Sequence, residues 1–228
     1  MQKLCLIIID GFGVAPPGPG NARTLADMPT VSRLEKEVPS VLMEAAGNAV
    51  GLPVGQQGAS EPGHMTIGAG RVVWQPFEEI NQSIRSGAFY ENKVLAGACE
   101  RAKKRNVPLH LFGLYSTGGV HSHVDHFHAM LKLAKQKGVD RVFLHLFGDG
   151  RDKPEQYFCV EFELLKAEIS KLSLGTIASL VGRYYGNDRD RRYVERTKIA
   201  YDLLTQGVGE KSDDFGAGAQ AWYLKAPD

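Results

Sequence analysis

The sequence predicts an α/β protein in which a parallel-sheet βαβ domain is attached to a smaller, glycine-rich α/β segment at the N-terminus. Three observations predict it. From residue 77 onward, short apolar runs alternate with amphipathic stretches long enough to be crossover helices, the signature of βαβ units. Before that point glycine and proline are dense and the periodicity is weak. The length, 228 residues, suffices for one large or two small hydrophobic cores.

Taken in order, the apolar run from Leu4 to Ile9 stops abruptly at Asp10-Gly11 and predicts a buried strand. The loop from Val14 to Asn21 holds three prolines and two glycines, so it is irregular. Residues 31–38 show weak helical spacing after Pro29-Thr30, and residues 41–45 predict a second short strand. A glycine-rich stretch follows from Gly47 to Ala59, and a short helix is expected from Ser60. We place a domain boundary near Trp74 to Phe77, giving domains of residues 1–75 and 76–228. Helices are predicted over 77–85 and 92–104. Then come a strand at 109–114, a helix at 124–137, a strand at 141–147, a helix at 156–172, a strand at 176–181 and a helix at 191–206. Such units form a parallel sheet with right-handed crossovers. The last segment, Gly207 to Asp228, has no sustained period and is expected to add neither helix nor strand.

Composition narrows the function. Hydrophobic residues at 43% and charged residues at 23% mark a globular chain rather than a disordered one. A formal net charge of +1 gives no reason to expect nucleic acid or an anionic membrane as partner. Cys5, Cys99 and Cys159 are widely spaced and form no CxxC, which suits a reducing compartment and buried small-hydrophobe roles. The apolar start is too short for a signal peptide, and no stretch approaches the ~20 residues of a membrane span. A cytoplasmic location is expected.

The chemistry concentrates at chain reversals. Asp10 ends the first predicted strand, and Ser60 opens a helix within Gly58-Ala59-Ser60-Glu61-Pro62-Gly63-His64. A carboxylate and a serine so placed suit metal-assisted phosphoryl transfer, since a divalent cation can lower the serine pKa while helix N–H groups receive phosphoryl oxygens. Ser60 could equally be a plain N-cap, and Asp10 a plain strand-end aspartate. The nucleophile elbow Gly-x-Ser-x-Gly is not matched, because Gly63 lies three residues after Ser60. Ligands of open parallel sheets bind beyond the carboxyl ends of strands. There the sequence puts Ser116 to His123, Gly148 to Asp152 and Gly182 to Arg192. Arg151, Arg183, Arg189 and His121 on one rim make an anion site, with Asp152 as an acceptor for a hydroxyl. The bland alternative is that these Arg–Asp pairs only cross-link turns. His121, His123, His126 and His128 suggest zinc by spacing. His126 and His128, however, fall two apart on a helix and point to different faces, so a single loop histidine contacting substrate is preferred.

Together the motifs identify a resemblance. Asp10-Gly11-Phe12-Gly13, the serine loop with Ile67-Gly68-Ala69-Gly70-Arg71, His110-Leu111-Phe112-Gly113-Leu114, Gly118-Gly119-Val120-His121-Ser122-His123, Asp149-Gly150-Arg151-Asp152 and Gly182-Arg183-Tyr184-Tyr185 with Asp188-Arg189-Asp190 run in order from the first strand to about Leu204. The set resembles the cofactor-independent (2,3-bisphosphoglycerate-independent) phosphoglycerate mutases, N-terminal part only. The resemblance implies a parallel-sheet substrate-orienting domain inserted into an alkaline-phosphatase-like α/β domain that is incomplete here. It implies interconversion of 3-phosphoglycerate and 2-phosphoglycerate, in glycolysis and gluconeogenesis, through a phosphoserine at Ser60. It implies two Mn²⁺ ions (Mg²⁺ in some members), with Asp10 and Ser60 as metal ligands, and no requirement for 2,3-bisphosphoglycerate. His121, Arg151, Asp152, Arg183 and Arg189 would hold the small-molecule substrate, and the full-length enzyme would be a monomer.

Two departures qualify the match. Family members are roughly twice as long, and their remaining metal ligands have no counterpart here, so this chain alone is expected to be inactive. The family usually has asparagine and valine where this chain has Ala59 and Pro62, and aspartate where it has Thr117. Ala59 removes a side-chain amide and Pro62 a backbone donor. Two rivals follow: a phosphoglycerate-binding module without turnover, and a divergent metal-dependent phosphatase.

Overall fold

A computed structural model describes residues 3–225. The chain divides between Glu79 and Ile80 into two compact units.

The first unit is helical where it is regular. Helices α1 (Ala22–Leu25), α2 (Pro29–Glu37) and α3 (Ser60–Ala69) are joined by irregular chain and a 3₁₀ turn at Gly47–Val50. Pro29 sits at the first position of α2, where its missing N–H is no loss. The two strands predicted at 4–9 and 41–45 do not form. Their composition is right, but a strand exists only through hydrogen bonds to a neighbour, and no described segment pairs with either. Leu4 and Val41 are accordingly 95% and 83% exposed. Ser60 also differs from the plain-cap expectation. Ala59 occupies the cap position and Ser60 is the first helical residue, so its hydroxyl is free to bond elsewhere.

Helix α4 (Pro76–Ser86) runs across the division, and in the second unit α5 (Lys93–Arg105) precedes the sheet. Asn92 caps α5 by accepting from the N–H groups of Val94 and Leu95, and Asn106 ends it in the left-handed conformation. The alternation then follows as β1 (Leu109–Tyr115), α6 (Val124–Gln136), β2 (Val142–Gly148), α7 (Phe158–Leu172) and β3 (Thr176–Gly182). A short helix α8 (Arg183–Gly186) leads to α9 (Val194–Gln206) and α10 (Phe215–Lys225). The last corrects the sequence expectation. Gly216 and Gly218 mask its periodicity, yet Phe215 and Ala219 pack against the core. The predicted lack of structure at 226–228 lies outside the described residues.

The sheet is parallel in the order β1-β2-β3, with Leu109 opposite Val142 and Phe143 opposite Thr176. One face is the core. Val142, Leu144 and Leu146 of β2 pack with Cys99 of α5, Phe127 and Leu131 of α6, and Phe158, Phe162 and Leu165 of α7. The other face carries Phe112 of β1 and His145 of β2, stacked at 4.2 Å. Leu144 has no exposed surface. Leu144→Ala should therefore cost ~2–5 kcal/mol, measurable as a lowered denaturation midpoint with an unchanged m-value. Because both pairings are parallel, the carboxyl ends of all three strands open on one edge.

Candidate active site

Tyr115, Gly148 and Gly182 end the three strands, and the loops that follow them are tied together by one buried carboxylate. Asp149, 3% exposed, accepts through Oδ1 from the backbone N–H groups of Gly150, Arg151 and Asp152 at 2.8, 3.0 and 3.1 Å. The same oxygen accepts from the Arg183 guanidinium at 3.0 Å, while Oδ2 accepts from the Ser116 hydroxyl at 2.7 Å. Loops after β1, β2 and β3 thus share one anchor. Burial by itself would raise the Asp149 pKa. The Arg151 N–H, the Ser116 hydroxyl, the Arg183 guanidinium and the Asp152 N–H outweigh it and hold the carboxyl well below the usual carboxylate range.

Around this anchor the predicted substrate residues fall into two groups. Arg183 is engaged twice, donating also to Asp152 Oδ2 at 2.6 Å, and His121 Nε2 lies 3.8 Å from that same oxygen. His121, Asp152 and Arg183 are therefore brought together. Arg151 belongs to the same turn, and its side chain makes no hydrogen bond or ion pair with another described residue. Arg189 is not joined to this chain of contacts. It lines an open groove with Lys198 and Tyr201, while its neighbour Asp188 pairs with Arg196 at 2.8 Å. Gly118 explains how closely the first two loops approach. A Cβ there would lie 3.1 Å from the Ser116 hydroxyl and 3.3 Å from Asp152 Cβ. Gly119, at φ +70°, then turns the chain toward His121.

The other histidines have structural employment. His123 caps α6 by accepting from the Asp125 N–H, His126 pairs with Asn81 at 2.9 Å, and His128 pairs with the Tyr115 hydroxyl at 2.8 Å. Burial pushes the pKa of both helical histidines down. Among the described residues no group of three or more His, Cys, Asp or Glu is arranged to hold a metal ion. Nor is any helix long and apolar enough to cross a membrane.

In the first unit, the Ser60 hydroxyl donates a hydrogen bond to Asp10 Oδ2 across fifty residues of sequence. The two residues singled out from opposite ends of the glycine-rich segment are thus direct neighbours. Separately, a groove of about 480 Å³ lies at the opposite, amino end of the sheet, between Val142 and Thr176. Its arginine, Arg141, donates to the Asn106 carbonyl at 2.6 Å.

Sequence reasoning missed the roles of Asp149 and Ser116. The first had a signal, since an aspartate between two glycines at a strand end favours a turn that its own carboxylate closes. Ser116 had none.

Comparison with known proteins places this geometry. A family model described as "BPG-independent PGAM N-terminus" matches residues 80–226. The 2,3-bisphosphoglycerate-independent phosphoglycerate mutase of Chloroflexus aurantiacus is 49% identical over 224 residues, covering 98% of this chain and 41% of that protein. The corresponding mutase 1 of Methanosarcina barkeri is also 49% identical, over 91% of this chain and 40% of its own length. A crystal structure of Leishmania mexicana phosphoglycerate mutase at low cobalt concentration superposes with a TM-score of 0.69 at 28% identity, covering 90% of this chain and 39% of that one. The chain spans about two fifths of the length of the curated relatives it matches.

Proposed function

The chain belongs to the family of 2,3-bisphosphoglycerate-independent phosphoglycerate mutases, and on that premise we propose that it serves the interconversion of 3-phosphoglycerate and 2-phosphoglycerate as the N-terminal part of a longer enzyme. The carrying observation is the junction of three strand-end loops at Asp149, with His121, Asp152 and Arg183 in one chain of contacts and Arg151 in the same turn, its side chain without a hydrogen-bond or ion-pair partner among the described residues. Such a rim suits a small acid phosphate. Arg151 brings a planar fork to a carboxylate or phosphate, His121 a second donor, and Asp152 an acceptor for a glycerate hydroxyl. Arg189 is a candidate for the same substrate.

Ser60 is the proposed phosphoryl acceptor. Asp10 accepts its proton in a hydrogen bond, orienting the oxygen for attack. The N–H groups of the first turn of α3 favour an anion at that position. Asp10 and Ser60 together offer two oxygen donors, which suit a hard divalent ion such as Mn²⁺ or Mg²⁺, and no third ligand joins them among the described residues. When bound, such an ion would lower the pKa of the serine hydroxyl. The family's independence of 2,3-bisphosphoglycerate removes that compound as a requirement.

A two-ligand set favours a second reading for the chain by itself, phosphoglycerate recognition without turnover. A coupled assay with 3-phosphoglycerate and Mn²⁺ is expected to give no turnover by this chain, and calorimetry saturable binding of the same compound. Robust turnover would overturn the assignment of the missing ligands, and an absence of binding would overturn the assignment of the rim.

A further inference from the structure

Glu161 is the most unusual buried group in the second unit. It has no exposed surface, lies in the first turn of α7, and takes the place of an apolar residue in the stripe formed by Phe158, Phe162 and Leu165. A leucine there would fit that stripe. The carboxylate instead reaches the loop after β1. Its Oε1 accepts from the Thr117 N–H at 2.5 Å and from the Thr117 hydroxyl at 2.7 Å, while Oε2 is buried with no hydrogen-bond partner among the described residues. A buried carboxyl group held by one residue's two donors is a poor device for stability alone, because an apolar replacement of similar volume is often neutral or better. Its benefit must lie in where it holds the loop.

That loop is closed at its base, where the Val124 N–H donates to the Ser116 carbonyl at 3.0 Å, and the Ser116 hydroxyl ties it to Asp149. Beyond Thr117, the Gly118 N–H donates to the Ser116 hydroxyl at 3.0 Å and Gly119, at φ +70°, turns the chain toward His121. Without the tether at Thr117, the segment that leads to His121 would lose its anchor to α7.

We propose that Glu161 is a positioning residue for the loop of residues 116–123, clamping Thr117 through both of its donors and thereby setting His121 against Asp152. The ligand-binding consequence rests on the functional proposal above, whereas the clamp itself does not. Because α7 follows directly from the loop that carries Arg151 and Asp152, the clamp sets the first loop relative to the second.

The test uses the intact chain and five variants, one of them a double substitution. Glu161→Leu keeps the packing stripe and removes the carboxylate. Thr117→Val removes one donor, and Thr117→Ser restores it. Amide hydrogen exchange at residues 117–122 is expected to quicken about tenfold in Glu161→Leu, to quicken in Thr117→Val, and to match the native chain in Thr117→Ser, with the thermal midpoint of Glu161→Leu not lowered. Unchanged exchange in both Glu161→Leu and Thr117→Val would overturn the clamp, as would faster exchange spread equally over the β2 core. Titration with 3-phosphoglycerate adds the functional arm. Affinity should fall in Glu161→Leu, and Glu161→Leu combined with His121→Ala should bind no more weakly than His121→Ala alone. Additive losses would show that Glu161 does not act through His121. If the native chain fails to bind 3-phosphoglycerate, the functional proposal falls, and the exchange result alone decides the clamp.

Discussion

Asp149→Ala is expected to destabilise the second unit by about 3–5 kcal/mol, the largest loss of any single change at the strand ends, because it leaves the Arg183 guanidinium without its deepest partner and strands three backbone donors. Chemical denaturation measures this directly. Replacing Arg183 by methionine in the same chain should recover part of the loss, since the unpaired charge is then gone as well. The acid limb of the stability curve carries the same information. A carboxyl whose folded pKa is depressed contributes stability that is fully present above its unfolded value and is lost as pH falls through the folded one. Asp149 starts from an ordinary value of 3.8 and is lowered in the fold, so its contribution should fade only below about pH 4. The Asp149→Ala chain should show a flatter stability profile over that acidic range. An equally steep profile would assign the acid sensitivity to other groups.

Much of this arrangement was legible in the sequence because the second unit is locally consistent. Its strands are short apolar runs bounded by proline, serine, glycine or charged residues, and its helices carry stripes at helical spacing, so β1, β2 and β3 fall within a residue or two of expectation. The functional loops were legible because glycine, arginine and aspartate cluster where strands end. What escaped has physical reasons. Leu4 to Ile9 has the composition of a strand, but pairing is a property of two segments and composition describes one. Glu161 was hidden because a charged residue on an apolar stripe reads as solvated until its partner, Thr117, is known to lie 44 residues away. The helix α10 was hidden by its glycines, which lower intrinsic propensity while tertiary packing of Phe215 supplies the stability.

Arg151→Ala carries the second large effect, on binding instead of stability. The Arg151 side chain is exposed and has no hydrogen bond or ion pair with another described residue, so its removal should change the unfolding free energy by less than about 0.5 kcal/mol. Loss of charge-assisted hydrogen bonds of ~1.5–3 kcal/mol should weaken 3-phosphoglycerate affinity by roughly tenfold to a hundredfold. Arg183→Ala makes the contrast. Its guanidinium is held by Asp149 and Asp152, so that change should lower both affinity and thermal midpoint. Equal affinities for the native chain and Arg151→Ala would remove the unpaired arginine from the recognition site.

Anion recognition is proposed for the carboxyl end of the three-stranded sheet, and backbone amide shifts followed during titration with 3-phosphoglycerate decide it. Saturable shifts are expected in residues 117–123, 149–152 and 183–189, with the turn at Asp149 among the largest. Shifts confined to the opposite groove, around residues 140–143 and 169–176, would overturn that assignment.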